Sequence, residues 1–464
     1  MRANPSLLLM LPLLTACAQQ PGAGAKDACM ALFDEWSSAS AASRDAQYRA
    51  IEGLPGLRSS RLDAALATDA RTPEQRQLWL QRLADNDREA SAIELANLPN
   101  QERQRWRAAP MQAQLDECRD QQQQRLLDDP ESFEHLRRTS QVADDYSSWA
   151  RTLGLYSLFK PFYRRGIAAW QAEAASFQAP SDSPRWLSYH ALPDDEPVVG
   201  PPAPDALGLP IVDLQQGEAL LARHAPRLRI EQASQADRIG RPRFDAQGQR
   251  SFAPTLPQVF QRLGWSRIDG RWHLQLIYQF WFSERPKPHA LDLFGGELDG
   301  LIWRVTLDQQ GDALLYDAIH PCGCWHSFYL PANSPLRFHQ PEDQEARLVR
   351  RLDINGDSAA TLWLSSGSHS LRWVDGRRSP YPSMLYSRQP MDQLRQLAHP
   401  QGSHSLYGID GLVPGSERLE RWLLWPSGVR SPGAMRQWGR HATAFVGRAH
   451  FDDPDLLARY FHRP

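Results

Sequence analysis

The hydrophobic period changes once along this chain, and that change constrains the fold more than any single motif. Up to about residue 178 the apolar residues recur at helical spacing; beyond Pro210 they alternate. Between the two lies 179–210, with eight prolines and the acidic run Asp194-Asp195-Glu196. Proline fixes φ and removes a backbone donor, so this stretch is expected to be a linker or irregular strap, neither helix nor central strand. The expectation is an α+β chain: a helical domain over 26–178, the linker 179–210, and a β-rich domain over 211–464, mainly antiparallel and sandwich-like or barrel-like.

Within the helical half, Thr72-Pro73-Glu74 reads as a cap with proline in the first turn, followed by Leu78, Leu80, Leu83 and Ala84 near helical spacing. Leu155 to Trp170 is more aromatic, and Lys160, Arg164 and Arg165 interleave with Phe and Tyr. It is expected to be a buried helix pair broken before Pro161, with a membrane-surface helix as the alternative.

In the β half, His273–Phe282 and Leu301–Leu307 read as strands. Asp308 to Asp312 is a turn and Ala313–Ile319 the return strand of a hairpin. Shorter strands are expected at 346–352, 360–364, 371–374, 420–425 and 443–448, with a closing helix over 453–461. Gly367-Ser368-His369-Ser370-Leu371 recurs as Gly402-Ser403-His404-Ser405-Leu406, which reads as two similar turn-strand units.

The N-terminus carries an address. Arg2 precedes the apolar run Leu7–Leu14, too short to cross a bilayer, which takes roughly 20 residues. Leu14-Thr15-Ala16-Cys17 resembles the lipobox of bacterial lipoproteins. The resemblance covers this targeting segment alone. It implies removal of 1–16, acylation of Cys17 with palmitate-type chains, and a lipidated tether over 17–25. Ala18 stands where an Asp would mark retention, which implies an outer-membrane anchor facing the periplasm. Several acyl chains on one residue anchor stably where a single chain does not.

Four cysteines remain. In an oxidising envelope Cys29 and Cys118 are expected to pair. The other two lie in His320-Pro321-Cys322-Gly323-Cys324-Trp325-His326. Thiolate and imidazole are the ligands of zinc and copper, so His320, Cys322, Cys324 and His326 form a candidate metal set. On a straight strand, however, residues two apart are separated by about 6.7 Å, and the four would stand in a row. A Cys322–Cys324 disulfide and a pair of reduced buried thiols are the competing readings.

Asp292, Glu297 and Asp299 lie just upstream, and Asp317 on the return strand. If the hairpin closes around Gln310, Leu307 faces Ala313, and counting back sets Asp299 beside His320–Cys322. His450 and Asp452 alternate onto one face, although Asp452-Asp453-Pro454 equally reads as a helix start.

A formal net charge of −2 gives no electrostatic pull toward nucleic acid. No G-x-S-x-G elbow, phosphate loop, H-E-x-x-H or dinucleotide fingerprint is present. The leading expectation is an envelope lipoprotein with a binding or structural role toward an unidentified partner or ligand. The alternative is a metal-binding or thiol-redox protein, or an enzyme, centred on His320–His326.

Overall fold

The computed structural model describes residues 23–142, 144–192, 202–357 and 359–464. Leu14 to Cys17 and the acidic run 194–196 lie outside them.

The helical half holds α1 (Ala23–Ala39), α2 (Arg61–Leu66), α3 (Pro73–Ala96), α4 (Asn100–Arg107), α5 (Ala109–Asp128), α6 (Pro130–Thr139), α7 (Ser148–Leu153) and α8 (Tyr156–Ala175). Thr72 caps α3 as expected: its side chain accepts from the Gln75 N–H, with Pro73 in the first turn. Cys29 and Cys118 form a disulfide that ties α1 to α5, with 5.5 Å between Cα atoms. α8 runs unbroken through Pro161, against the expected break, at the cost of one backbone hydrogen bond.

One eleven-stranded mixed sheet forms the β half. Its strands are β1 (Trp186–Ala191), β2 (Arg227–Glu231), β3 (Gln258–Ile268), β4 (Arg271–Arg285), β5 (Gly296–Leu307), β6 (Ala313–Ile319), β7 (Ser327–Leu330), β8 (Leu348–Arg351), β9 (Thr361–Leu364), β10 (Leu371–Asp375) and β11 (Met384–Pro390). The order is β8-β7-β6-β5-β4-β3-β11-β1-β2-β9-β10. Pairing is antiparallel from β7 through β3, in β1–β2 and in β9–β10, and parallel elsewhere. Leu307 pairs with Ala313, the register that closing the hairpin around Gln310 requires, but a bulge at Thr306/Leu307 then shifts the pairing by one residue, so that Ile302 meets Ile319.

Four local expectations are corrected. Trp186–Ala191, inside the Pro-rich stretch, is a strand in the middle of the sheet, because its prolines flank the segment without entering it. Beyond α9 (Leu214–Arg223), which precedes β2, residues 420–425 hold a short helix, α10 (Arg421–Leu424), and 443–448 are irregular. The closing helix over 453–461 shrinks to a single tight turn, Leu457–Arg459.

Both faces of β4 are buried, which is why it reads as an apolar run. Leu274, Leu276, Tyr278, Phe280 and Phe282 point into one core with Leu301, Trp303, Val305, Tyr316 and Ala318. Ile277 and Trp281 point the other way, against Ile302, Ile319, Val413, Met435 and Phe451. The helical half is clamped to the sheet half by ions. Arg395 grips Asp45 through Nε at 3.0 Å and a terminal nitrogen at 2.9 Å, and Arg61 bridges Asp145 at 2.9 Å and Asp452 at 3.0 Å.

Candidate active site: an imidazole at the end of a buried relay

The period-2 rule sorts the candidate residues before any contact is considered. On β5, Asp299 shares a face with Leu301 and Trp303, the inner core; at the end of β6, His320 continues the inward series Tyr316, Ala318. Arg304 and Asp317 fall on the opposite face.

His320 Nδ1 lies 3.3 Å from Asp299 Oδ1. The other oxygen of Asp299 lies 2.8 Å from His369 Nδ1. His369 Nε2 in turn stands 3.4 Å from Asp237 Oδ1, an ion-pair contact. Asp237, in the loop after β2, is fixed by the N–H of Gly367 at 2.7 Å, the Ser366 hydroxyl at 3.0 Å, and the N–H groups of Ala233 and Ser234 at 2.8 and 2.7 Å. The result is a chain, Asp237–His369–Asp299–His320, hydrogen-bonded from His369 onward and joined to Asp237 by a charge contact alone. His369 belongs to the β9–β10 turn, far from β5 in strand order, so the chain closes only because the sheet curls toward a barrel.

Electrostatics fix the protonation pattern. Burial alone would raise the pKa of Asp299, but the His320 and His369 hydrogen bonds outweigh it and hold the carboxyl far below the ordinary range. Burial alone would lower the pKa of His369; the flanking Asp237 and Asp299 reverse that and keep it raised. Asp237, despite burial, is held low by His369 and its backbone donors. An ionised carboxylate only accepts hydrogen bonds, so the proton between His320 and Asp299 sits on Nδ1. His320 Nε2 is left without a hydrogen-bond partner among the described residues, and His320 lines a cavity of about 450 Å³. The His369 ring also stacks flat on Phe282, 3.7 Å between centroids at 5°, which fixes its plane.

Trp170, Phe177, Phe294 and Trp325 supply aromatic surface in that cavity, and Ser327, Ser365, Ser368 and Ser370 hydroxyls. Arg285 and Arg372 add cations and Glu173 the single carboxylate of the lining. Arg285 has no ion-pair partner among the described residues; Arg372 lies 3.8 Å from Glu231 and over the Phe177 ring. Trp170 of α8 packs on Trp325 at 4.9 Å. Backbone strain gathers here as well: Leu298, Trp325 and His369 have φ of 54°, 62° and 49°. Bulky side chains seldom adopt that region, and such residues cluster where a structure must aim a functional group.

The candidate metal set does not assemble. His326 belongs to the outer face, where Nε2 lies 2.7 Å from Asp317, itself gripped by Arg304 at 2.9 and 2.6 Å. Burial pulls the His326 pKa down to about 4 despite Asp317. The tight turn from His320 to Cys324, closed by the His320 N–H on the Cys324 carbonyl at 3.0 Å, sends the two imidazoles to opposite faces. Gly323 is required in it: φ is +89°, and a Cβ would sit 2.3 Å from the Ala442 carbonyl oxygen. Cys322 and Cys324 are free, buried and half-buried respectively. Hydrogen bonding to Cys322, reinforced by burial, pushes the Cys324 thiol well above its ordinary pKa, the reverse of what a thiolate ligand or redox nucleophile needs. Among the described residues no group of three or more His, Cys, Asp or Glu side chains forms a metal set.

The other sequence candidates are separate. The Asp292 carboxylate accepts from the Phe294 and Gly295 N–H groups and closes a turn. Glu297 is exposed and pairs with Arg250. His450 Nε2 lies 3.2 Å from Asp144, while Asp452 holds Arg61, so the two do not form a pair. Sequence reasoning missed Asp237 and His369. The repeated Gly-Ser-His-Ser turn was the available signal for His369; Asp237 had none.

No family model, curated protein or solved structure matches the chain.

Proposed function

We propose that this chain is an envelope lipoprotein, anchored through Cys17 on the periplasmic side of the outer membrane, whose cavity binds an anionic ligand with an aromatic or apolar part. In this reading it is an enzyme, with His320 as the acid–base group that takes a proton from the bound ligand or its attacking water and returns it. The observation that carries the reading is the buried Asp237–His369–Asp299–His320 chain, which ends at a residue of the cavity lining whose Nδ1 is turned to Asp299. A general base needs an open lone pair, a fixed tautomer and a site for the reacting group within reach. The aromatic walls and Arg285 support the ligand class: guanidinium suits carboxylate or phosphate, and indole rings suit a flat apolar body.

The test is a panel of chromogenic carboxylate-bearing and phosphate-bearing aryl esters, assayed for binding and for turnover. Arg285→Ala should weaken binding of every anionic member. His320→Gln should preserve binding and abolish turnover. Binding without turnover in the wild-type chain would make the protein a ligand carrier, a reading favoured by the four aromatic walls, which need no chemistry at all. Absence of both would sink the proposal. The anchor is tested separately, by mass spectrometry of the N-terminal peptide for a diacylated Cys17.

A further inference from the structure

A twenty-residue helix normally buries a stripe of its surface, because isolated helices of this length are marginal in water. On α8, Tyr163 and Ala174 are the buried residues. Tyr163 packs against Phe445, and Tyr156 is held through its hydroxyl on the Phe445 carbonyl at 3.1 Å. The flank adjoining the buried side is apolar and open. Leu158 is 65% exposed and Phe162 70%, and with Leu155 they fall on one side of the helix at spacings of three and four. The same exposure continues on neighbouring elements: Trp149 on α7 is 68% exposed and Trp422 on α10 66%. These elements are continuous in space. The Arg151 Nε–H donates to the Ser427 carbonyl at 2.6 Å, and the Ser147 N–H to the Gly428 carbonyl at 2.7 Å, which locks the α7–α8 pair onto the segment following α10.

Charge identifies what covers this face. Lys160, Arg164 and Arg165 rise from α8 and Arg421 from α10, and none has an ion-pair partner among the described residues. An apolar stripe with exposed indoles, bordered on α8 by Arg165, with Lys160 and Arg164 on the flank beyond Tyr163 and Arg164 donating to the Glu342 carbonyl, matches the interface of an anionic phospholipid layer: rings and leucines reach the acyl boundary and the cations meet phosphate. No helix among the described residues is long and apolar enough to cross a membrane, so the contact lies in the surface plane.

We infer that α7, the first half of α8 and α10 form a surface that docks this protein onto an anionic phospholipid bilayer. The inference rests on exposed side chains and does not require acylation of Cys17. Its geometry bears on the cavity, because the other half of the same helix carries Trp170 and Glu173 into the lining.

Vesicle co-flotation tests this with the chain from Ala18 onward, which carries no lipid and keeps every described residue. The wild-type chain should float with vesicles of phosphatidylethanolamine and phosphatidylglycerol, and far less with phosphatidylcholine alone. Leu158→Ser with Phe162→Ser should cut binding by about tenfold or more, and Lys160→Glu with Arg165→Glu should remove the preference for the anionic vesicles. All four positions are half-exposed or exposed, so thermal melts of the variants should match the wild type and separate lost docking from lost folding. Failure of the wild-type chain to bind either vesicle overturns the inference, as does binding that ignores the apolar double substitution. A dimer that the apolar substitutions dissociate, with no vesicle binding, would assign the face to a second copy instead and overturn it too.

Discussion

His320 and His369 hold opposite oxygens of one buried carboxylate: Asp299 Oδ1 is 3.3 Å from the first imidazole and Oδ2 2.8 Å from the second. The shared carboxylate makes the two rings unequal. His369 faces a second carboxylate, Asp237, and is the charged member; His320 faces the cavity. Position in the relay, rather than residue type, separates a structural cation from a candidate base.

Asp299 and Glu297 come from one acidic motif and should behave oppositely. Asp299→Asn strands the His369 cation in a buried site, and breaking such a pair typically costs about 3–5 kcal/mol. Glu297→Gln touches an exposed pair with Arg250 and should change stability by less than about 1 kcal/mol. Urea unfolding of the two variants measures the difference; equal effects would contradict the relay.

Arg395→Ala should destabilise by about 3–5 kcal/mol, because Asp45 would lose its bidentate partner between the helical half and the sheet half while staying buried. The same substitution at Arg88, whose three partners are all half-exposed or exposed, should cost about 1 kcal/mol or less.

Stability should fall as the medium turns acid, beginning near pH 6.5. Burial lowers the pKa of His224 and His326 to about 4 and of His441 to about 3. The unfolded chain therefore binds protons that the folded one refuses, and the stability present above the unfolded histidine value is lost as pH drops toward 4. Glu420 acts in the opposite sense. Burial raises it to about 7 against Arg285 and Arg418, so its contribution is complete below the unfolded value and fades as pH rises through 7. Urea midpoints across this range should rise with pH for the wild type, and Glu420→Gln should steepen the rise.

Cys29→Ser should lower stability by about 2–5 kcal/mol, since the bridge spans 89 residues of chain and long closed loops lose the most entropy. Thiol counting of the unfolded chain from Ala18 onward, without reductant, should find Cys322 and Cys324 reactive, and Cys29 and Cys118 protected.

Half of the relay was legible in the sequence. Counting back from the turn around Gln310 set Asp299 beside His320–Cys322, but at an unbroken register the two would alternate onto opposite faces; a bulge at Thr306/Leu307 shifts the pairing by one residue and brings them to the same face. The other half depends on curl: His369 and Asp237 reach β5 from the far side of the sheet order, and no local pattern encodes that approach. His326 illustrates the opposite error. Its proximity to His320 in sequence promised a shared site, yet the turn through Gly323 puts the two on different faces. The strand Trp186–Ala191 was hidden by the prolines around it, whereas the aromatic and basic spelling of Leu155–Trp170 already offered a surface helix as the alternative to the buried pair.

The most direct test is nitrogen NMR of the imidazole rings with ¹⁵N-histidine, His320 and His369 being assigned by His320→Gln and His369→Gln. The account predicts that His369 carries protons on both nitrogens at neutral pH, and that His320, in its neutral form, carries its proton on Nδ1 and keeps Nε2 open to the cavity. A singly protonated His369, or a His320 protonated on Nε2, would contradict the relay and the acid–base role built on it.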